Sequence, residues 1–500
     1  MSLRSTICRA WFSQRLRAIE QFRRYPVRTQ ERMLQRALGR GRDTAFGRQY
    51  GLSAVRSYEQ FCAAVPLFDY DSFKPWIERM FAGERSVAAP GRVALFARSS
   101  GTTSDRSKYI PVTRSSVWRN HTLGMRDLAA LVAEADPHTR MFDGKTLTLG
   151  GSCRREGRNL VGDLSALLIR QTAFVSGSLR APRSASAVIP DFDRKAEAIC
   201  RECVGEPIVA FAGVPSWNLA LMRRVLEHTG KSNLLEVWPD LELFAHGGVE
   251  FAPYRRSFEA LIPSPRMRYM ETYNASEGFF ALADDPARDD MLLMLDYDTF
   301  YEFRDGGQVV PLEGVETGRS YAMLVTSDNG LWRYEIGDRV EFTSTDPYRI
   351  RFAGRTRQYI NVFGEELIVD NADRALAAAC AETGAAVAEY SVAPCYMSLS
   401  ERGAHEWFVE FERMPADMEA FAAALDRALR SVNSDYDAKR QTTLERQRLT
   451  ILGPGTFLAW MRSRGKNKVP RLANDRRVAE DLVRFVAEQV ESRNPIAHRH

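Results

Sequence analysis

Ten residues, Ser99 to Lys108 (SSGTTSDRSK), crowd hydroxyls around a glycine and close on a single lysine. A loop of this make-up offers backbone N–H groups, hydroxyl donors and one ammonium to a polyphosphate. It follows the apolar run Val93 to Ala97, which reads as a strand, and a strand feeding such a turn is a common seat for a phosphate. It is not a Walker loop, because the G-x-x-x-x-G-K-[ST] spacing is missing. A plain Ser/Thr/Gly turn is the competing reading of these residues alone.

Four more segments carry residue types that could do chemistry. YNASEG (Tyr273 to Gly278) sets an aromatic ring beside a hydroxyl and a carboxylate. RYEIGDRV places Asp338 just past an expected strand. FAGRTRQYINVFGEEL runs from Phe352 to Leu367, and GKNKVPR from Gly465 to Arg471. Taken singly, each also fits a structural role: a strand end with a buried tyrosine, a turn, a surface arginine. Lysine is scarce in this chain. Only eight of its 69 basic residues are lysines, at 74, 108, 145, 195, 231, 439, 466 and 468. A lysine kept against that bias suggests a point charge that a planar guanidinium cannot replace, and three of the eight lie in these segments.

The five segments, in this order, resemble those of the adenylate-forming enzymes. More closely, they resemble the Gretchen-Hagen acyl acid amido synthetases, and AGVPSWN (Ala212 to Asn218) and VWPDLELFAHGG (Val237 to Gly248) resemble the bacterial branch of that family. The resemblance spans roughly Ser53 to Arg476. It implies an enzyme that adenylates a carboxylic acid with ATP and Mg²⁺, releases pyrophosphate, and passes the acyl group to an amino acid. Ser99, Ser100, Thr102, Thr103 and Lys108 would hold the β- and γ-phosphates. Asp105, where many relatives carry a small residue, would face solvent. Tyr273 would stack on adenine, with Gly247 and Gly248 allowing close backbone approach. Ser276 would donate to the α-phosphate, and Glu277 would ligate Mg²⁺. Asp338 would clamp the ribose, with Arg355 at the ribose or a phosphate. Lys468 matches a lysine of the mobile C-terminal domain, although the shortened loop leaves Lys466 as the alternative. Val214 and Trp217 would wall the acyl pocket. An acyl-CoA ligase shares the first step and is the runner-up. A non-catalytic basic binding protein is the reading from a different class.

The elements that must position these residues follow from periodicity. Residues 10 to 40 show helical spacing of Trp11, Leu16, Ile19, Phe22, Met33, Leu34 and Leu38. A long helix is expected around Ser115 to Glu134, then alternating strands and helices to about residue 270, the pattern of α/β layers. Met291 to Phe352 reads mostly as strand, a mixed sheet or barrel-like part. After Arg355 a smaller α/β layer follows: a helix Asn371–Glu382, strands at VAEYSVAP and HEWFVEFE, a helix Ala416–Val432 and a strand at RLTILGPG. The expected organisation is a large α/β N-terminal domain for ATP and acyl substrate, 1–355, and a smaller mobile α/β domain, 356–500.

Bulk properties set the class. Five hundred residues exceed a single core, and 45% apolar content is ordinary for a globular protein. A formal charge of +5 is small for this length and argues against a nucleic-acid partner. No run reaches the ~18 apolar residues of a membrane span. Seven scattered cysteines form no disulfide framework, and Cys200-x-x-Cys203 lacks two further zinc ligands nearby. A reducing, cytoplasmic compartment is expected, with small-molecule acid and amino acid as partners and the oligomeric state left open. The arginine-rich N-terminus, with only Glu20 and Glu31 as acids before Asp43, reads as an amphipathic helical lead-in packed on the first domain.

Overall fold

The computed structural model describes residues 3–100, 107–355, 358–398, 401–464 and 469–493. By internal contacts the chain divides into two compact units, one of 1–99 with 108–356 and one of 100–107 with 357–500.

In chain order the strands up to Arg355 are β1 (Leu95–Ser100), β2 (Ser107–Val112), β3 (Lys145–Thr148), β4 (Cys153–Glu156), β5 (Asn159–Gly162), β6 (Arg180–Ala181), β7 (Ile208–Gly213), β8 (Leu243–His246), β9 (Arg268–Ala275), β10 (Gly278–Leu282), β11 (Met291–Leu293), β12 (Thr299–Asp305), β13 (Gln308–Pro311), β14 (Ser320–Ser327), β15 (Tyr334–Thr345) and β16 (Tyr348–Arg355). Twelve of them make one sheet, in the order β13-β12-β14-β15-β16-β11-β10-β9-β8-β7-β3-β6. β9 is the seam of this sheet. It runs parallel to β8, as do β8 to β7 and β7 to β3, whereas from β10 to β13 every pairing is antiparallel. The parallel strands read as apolar runs, such as IVAFAG and LFAH, because both their faces are buried.

The arginine-rich N-terminus folds as helices that close one side of this sheet. Pro26 opens the helix Pro26–Gly41 at a position where its missing N–H costs nothing. Met33, Leu34 and Leu38 share the buried face, as do Ile19 and Phe22 on the helix Leu16–Arg24. Gln30, fully buried, donates its amide to the Leu295 and Thr299 carbonyls and accepts from the Tyr301 N–H. Several arginines are spent on carboxylates of the same unit: Arg15 on Asp127 and Asp296, Arg23 on Asp284, Arg36 and Arg40 on Asp298. Gly41 permits contact with the Trp332 ring, since a Cβ there would lie 2.3 Å from it. That ring stacks on Phe46 at 5.3 Å.

A buried ion pair ties another helix, Tyr58–Ala64, to the sheet. Arg333 binds Glu302 of β12 through Nε and Nη2 at 2.8–3.1 Å, and its Nη1 donates to the carbonyls of Cys62 and Val65. The two side chains are 7% and 1% exposed. Arg333 sits at φ +42, a left-handed conformation held by these bonds and by its own N–H to Thr326 Oγ1.

The second unit has its own core. β17 (Tyr359–Ile360) pairs β18 (Leu367–Ile368), and β19 (Ala386–Cys395), β20 (Ala404–Arg413) and β21 (Arg448–Leu452) form a three-stranded sheet. Helices Val369–Thr383 and Met418–Val432 pack together, and Phe408, Phe457, Trp460 and Leu482 fill one side. The buried Glu365 carboxylate accepts the N–H groups of Val362 and Phe363 and contacts His405 Nε2 at 2.8 Å, which fixes the FGEE segment. All seven cysteines are free thiols; Cys203 is fully buried, and burial pushes it up to about 12. Among the described residues, no helix is long and apolar enough to cross a membrane.

The Arg333–Glu302 pair generates a stability prediction. Removing one partner strands the other charge, at a cost of about 3–5 kcal/mol. Arg333→Ala should therefore lower the urea midpoint of the first unfolding transition markedly. The double variant Arg333→Met/Glu302→Leu should lose clearly less. Equal losses in the single and double variants would show that the pair's charge is not what matters.

Candidate active site

Three side chains from three strands meet at Asp338. The Tyr273 hydroxyl, on β9, donates to Asp338 Oδ2 at 2.6 Å. Arg355, on β16, sits in register opposite Asp338 on β15, with Nε 3.1 Å from Oδ1. Asp338 therefore lies inside a strand, not just past one as the sequence suggests. Gly337 and Gly354 flank an irregularity in this strand pair. Arg339 faces Gly354 and Val340 faces Phe352, so Ala353 is the extra residue of a β-bulge, and both glycines take positive φ (+90 and +111). A bulge re-aims neighbouring side chains. Tyr273 stands edge-on to Phe280 and Phe352, at 5.2 and 6.0 Å. Burial, and then the charge of Asp338, raise its phenol well above the usual range, so it remains a donor.

The carboxyl ends of consecutive parallel strands supply the neighbouring residues, and this is the edge where open α/β sheets bind ligands. β7 ends at Gly213 and leads into Val214 and the helix Pro215–Thr229, which carries Trp217. β8 ends at His246 and leads into Gly247 and Gly248. A Cβ on Gly247 would lie 2.2 Å from the carbonyl oxygen of Thr272, the residue before Tyr273, so glycine is required there. A Cβ on Gly248, at φ +83, would touch Val214 Cγ2 at 3.4 Å. Gly247, Gly248, Val214, Tyr273, Asp338 and Arg355 thus form one connected set. Trp217 turns to a different neighbour: the buried Lys195, whose Nζ is 5.3 Å from the ring centroid and donates to the Gly150 carbonyl. His246 stacks on Phe251 at 4.2 Å, and burial holds it neutral, down at about 3.

The turn that follows Tyr273 is held by side chains that the motif reading does not single out. Asn120 donates to the Tyr297 carbonyl and accepts from the Phe279 N–H at 2.6 Å. His121 Nδ1 contacts Asn274 Oδ1 at 2.8 Å, and burial lowers this imidazole to about 4, so it is neutral at pH 7. With Asn274 Oδ1 able only to accept, His121 carries its proton on Nδ1. Asn329, in the β14–β15 turn, donates to the Glu277 carbonyl at 3.1 Å and accepts from the Thr113 N–H at 2.9 Å. Buried Asn and His side chains leave no periodic signature, so nothing in the sequence separates them from surface residues. Ser276 and Glu277 occupy the turn itself, between β9 and β10, partly exposed. Lys108, on β2, lies over the Tyr70 ring at 5.4 Å. Ser99 and Ser100 end β1. Thr102, Thr103, Lys466 and Lys468 lie outside the described residues, as does Asp105.

The comparisons with known proteins agree in kind. The GH3 family N-terminal domain matches residues 15–159 and 152–267, the central domain 292–355 and the C-terminal domain 370–477. The indole-3-acetic acid-amido synthetase GH3.8 of Oryza sativa subsp. indica is 24% identical over 463 residues, covering 76% of this chain and 75% of its own. Among solved structures, the GH3.15 acyl acid amido synthetase superposes with a TM-score of 0.60 at 17% identity, over 94% of this chain and 95% of that one. A 2-hydroxyisobutyryl-CoA ligase superposes with a TM-score of 0.55 at 14% identity, over 93% and 91%. These two likenesses show a shared fold. The family models, matching in chain order between residues 15 and 477, show more: this chain belongs to the GH3 family.

Proposed function

We propose that this protein is an ATP-dependent acyl acid amido synthetase that joins a carboxylic acid to an amino acid. In the first step a carboxylate oxygen attacks the α-phosphorus of ATP, the bond to pyrophosphate breaks, and an acyl adenylate forms. In the second the amine attacks the acyl carbon and loses a proton, AMP leaves, and an amide remains. Such chemistry asks the protein mainly for positioning and charge stabilisation. The observation that carries the reading is the meeting of Tyr273, Asp338 and Arg355, drawn from segments 65 and 17 residues apart, beside the carboxyl ends of β7 and β8.

In this reading Asp338 accepts from the ribose hydroxyls, and its contacts with Tyr273 and Arg355 hold the carboxylate ready. Tyr273 and the Gly247–Gly248 backbone flank the adenine, and Arg355 lies at the ribose or a phosphate. Ser99, Ser100, Thr102, Thr103 and Lys108 hold the β- and γ-phosphates, and Ser276 the α-phosphate. Val214 and Trp217 wall the acyl pocket. Among the described residues no group of three or more His, Cys, Asp or Glu could hold a metal. Glu277, partly exposed in the turn after β9, offers a hard carboxylate oxygen suited to Mg²⁺, which would take its other ligands from phosphate oxygens and water. When bound, it would neutralise charge on the departing pyrophosphate. Residues 1–355 form the substrate domain, and 356–500 the mobile domain that brings Lys468. AGVPSWN and VWPDLELFAHGG support a bacterial member, and the free cysteines suit a cytoplasmic location.

Incubation with ATP and panels of acids, with amino acids or CoA as acceptor, should yield AMP and pyrophosphate, and an amide by mass spectrometry. ADP and phosphate would point to an acyl phosphate instead, and a thioester without amide to an acyl-CoA ligase.

Asp338→Ala should weaken ATP binding at least tenfold by calorimetry, since a charge-assisted hydrogen bond is worth about 1.5–3 kcal/mol. Asp338→Asn should fall between, because it keeps one acceptor oxygen. Unchanged affinity would remove Asp338 from the nucleotide site.

Lys468→Ala should slow adenylation by about 10²–10³. Aminolysis of a supplied acyl adenylate should change much less, because no pyrophosphate departs in that step. Lys468→Arg should not restore the rate. A defect confined to Lys466→Ala would assign the role to that lysine instead.

A further inference from the structure

The Asn329 amide joins two motifs that are far apart in sequence. Its Oδ1 accepts from the N–H of Thr113, the residue after β2, the strand that carries Lys108. Its Nδ2 donates to the carbonyl of Glu277. The side chain is buried, with the residue 1% exposed, and the chemistry of the partners fixes its orientation: an N–H must meet the oxygen and a carbonyl must meet the NH₂.

The anchor itself is rigid. Ser327 N–H bonds the Leu331 carbonyl and Gly330 N–H the Ser327 carbonyl, closing a tight turn around Asn329. Gly330 takes φ +80 and packs so closely on Ala88 and Ala89 that a Cβ would lie 2.9 Å from them. Trp332 Nε1 donates to the Ala88 carbonyl, and Arg333 is locked by Glu302. The turn that carries Asn329 thus has little freedom, whereas Glu277, whose carbonyl it binds, is partly exposed.

We infer that Asn329 is a positioning residue for adenylation: it fixes the Glu277 peptide against the Lys108–Thr113 segment, so that carboxylate and ammonium address the same polyphosphate. The inference rests on the adenylating role proposed above. Asn329 touches none of the reacting atoms, and acts through the backbone of Glu277. A carboxylate at this position would keep the Thr113 contact but set an oxygen against the Glu277 carbonyl. Asn329→Asp therefore removes half of the bridge with almost no change in volume.

The test uses the 500-residue protein with Asn329→Ala and Asn329→Asp. Without ligands, hydrogen–deuterium exchange over residues 274–279 should quicken at least tenfold in both variants, with β12 and β14 unchanged. ATP–pyrophosphate exchange should lose about 10- to 100-fold in kcat, the scale of a small misplacement. KM for ATP should stay within about twofold, since Tyr273, Asp338 and Arg355 are untouched, and aminolysis of a supplied acyl adenylate should be nearly normal. Normal kcat in both variants, unchanged exchange in the turn, or equal slowing of both half-reactions would each overturn the inference. So would failure of both variants to fold, which would make Asn329 a folding residue. If the wild-type protein adenylates no acid tested, the functional reading fails instead; unchanged turn exchange would still refute the bridge on its own.

Discussion

Burying an ion pair is a costly way to hold a fold together, and here much of the first unit is arranged around one. The attraction between Arg333 and Glu302 must offset the removal of both charges from water, which demands good geometry and partners for the remaining donors. Arg333 finds them in the Cys62 and Val65 carbonyls. One guanidinium thereby fixes β12, the end of the helix Tyr58–Ala64 and the start of β15 relative to one another. Everything the β14–β15 turn presents inherits that fixed point: Trp332 against Phe46, Asn329 towards Glu277, and five residues further along β15, Asp338.

The sheet's change of direction at β9 is the second organising feature. A parallel array gathers its loops at the carboxyl edge, which serves binding, while an antiparallel array permits short connections and a long continuous surface. β9 belongs to both. Tyr273 therefore borders the glycine turn after β8 through Thr272, and also reaches the bulged β15–β16 pair, where Asp338 and Arg355 lie.

Sequence reasoning reads some of this and misses the rest for identifiable reasons. The strands from Met291 onward and the helices at Val369–Thr383 and Met418–Val432 are legible because their apolar spacing reports directly on burial. Asp338 is expected just past a strand, whereas it lies inside one, next to a bulge that the glycines on β15 and β16 accommodate. The Tyr273–Asp338 bond crosses 65 residues and leaves no local trace. Asn120, His121 and Asn329 stay hidden because polar residues are assumed to face water, and a buried one is recognised only once its partners are seen. Lys195 stands out only as a rare lysine, and its burial against Trp217 depends on the helix Phe192–Cys203 docking there.

Gln30 has a consequence for how this chain comes off the ribosome. Its three amide bonds are to residues 265 to 271 positions later. The helix Pro26–Gly41 therefore emerges early and waits, its apolar face and a polar amide both without their final partners, until β12 has been synthesised. At about 5–20 residues per second that interval is on the order of 15–50 seconds. Over that time the dense positive charge around the helix, much of it later neutralised by Asp284, Asp296 and Asp298, acts as a solubilising coat on an unfinished surface.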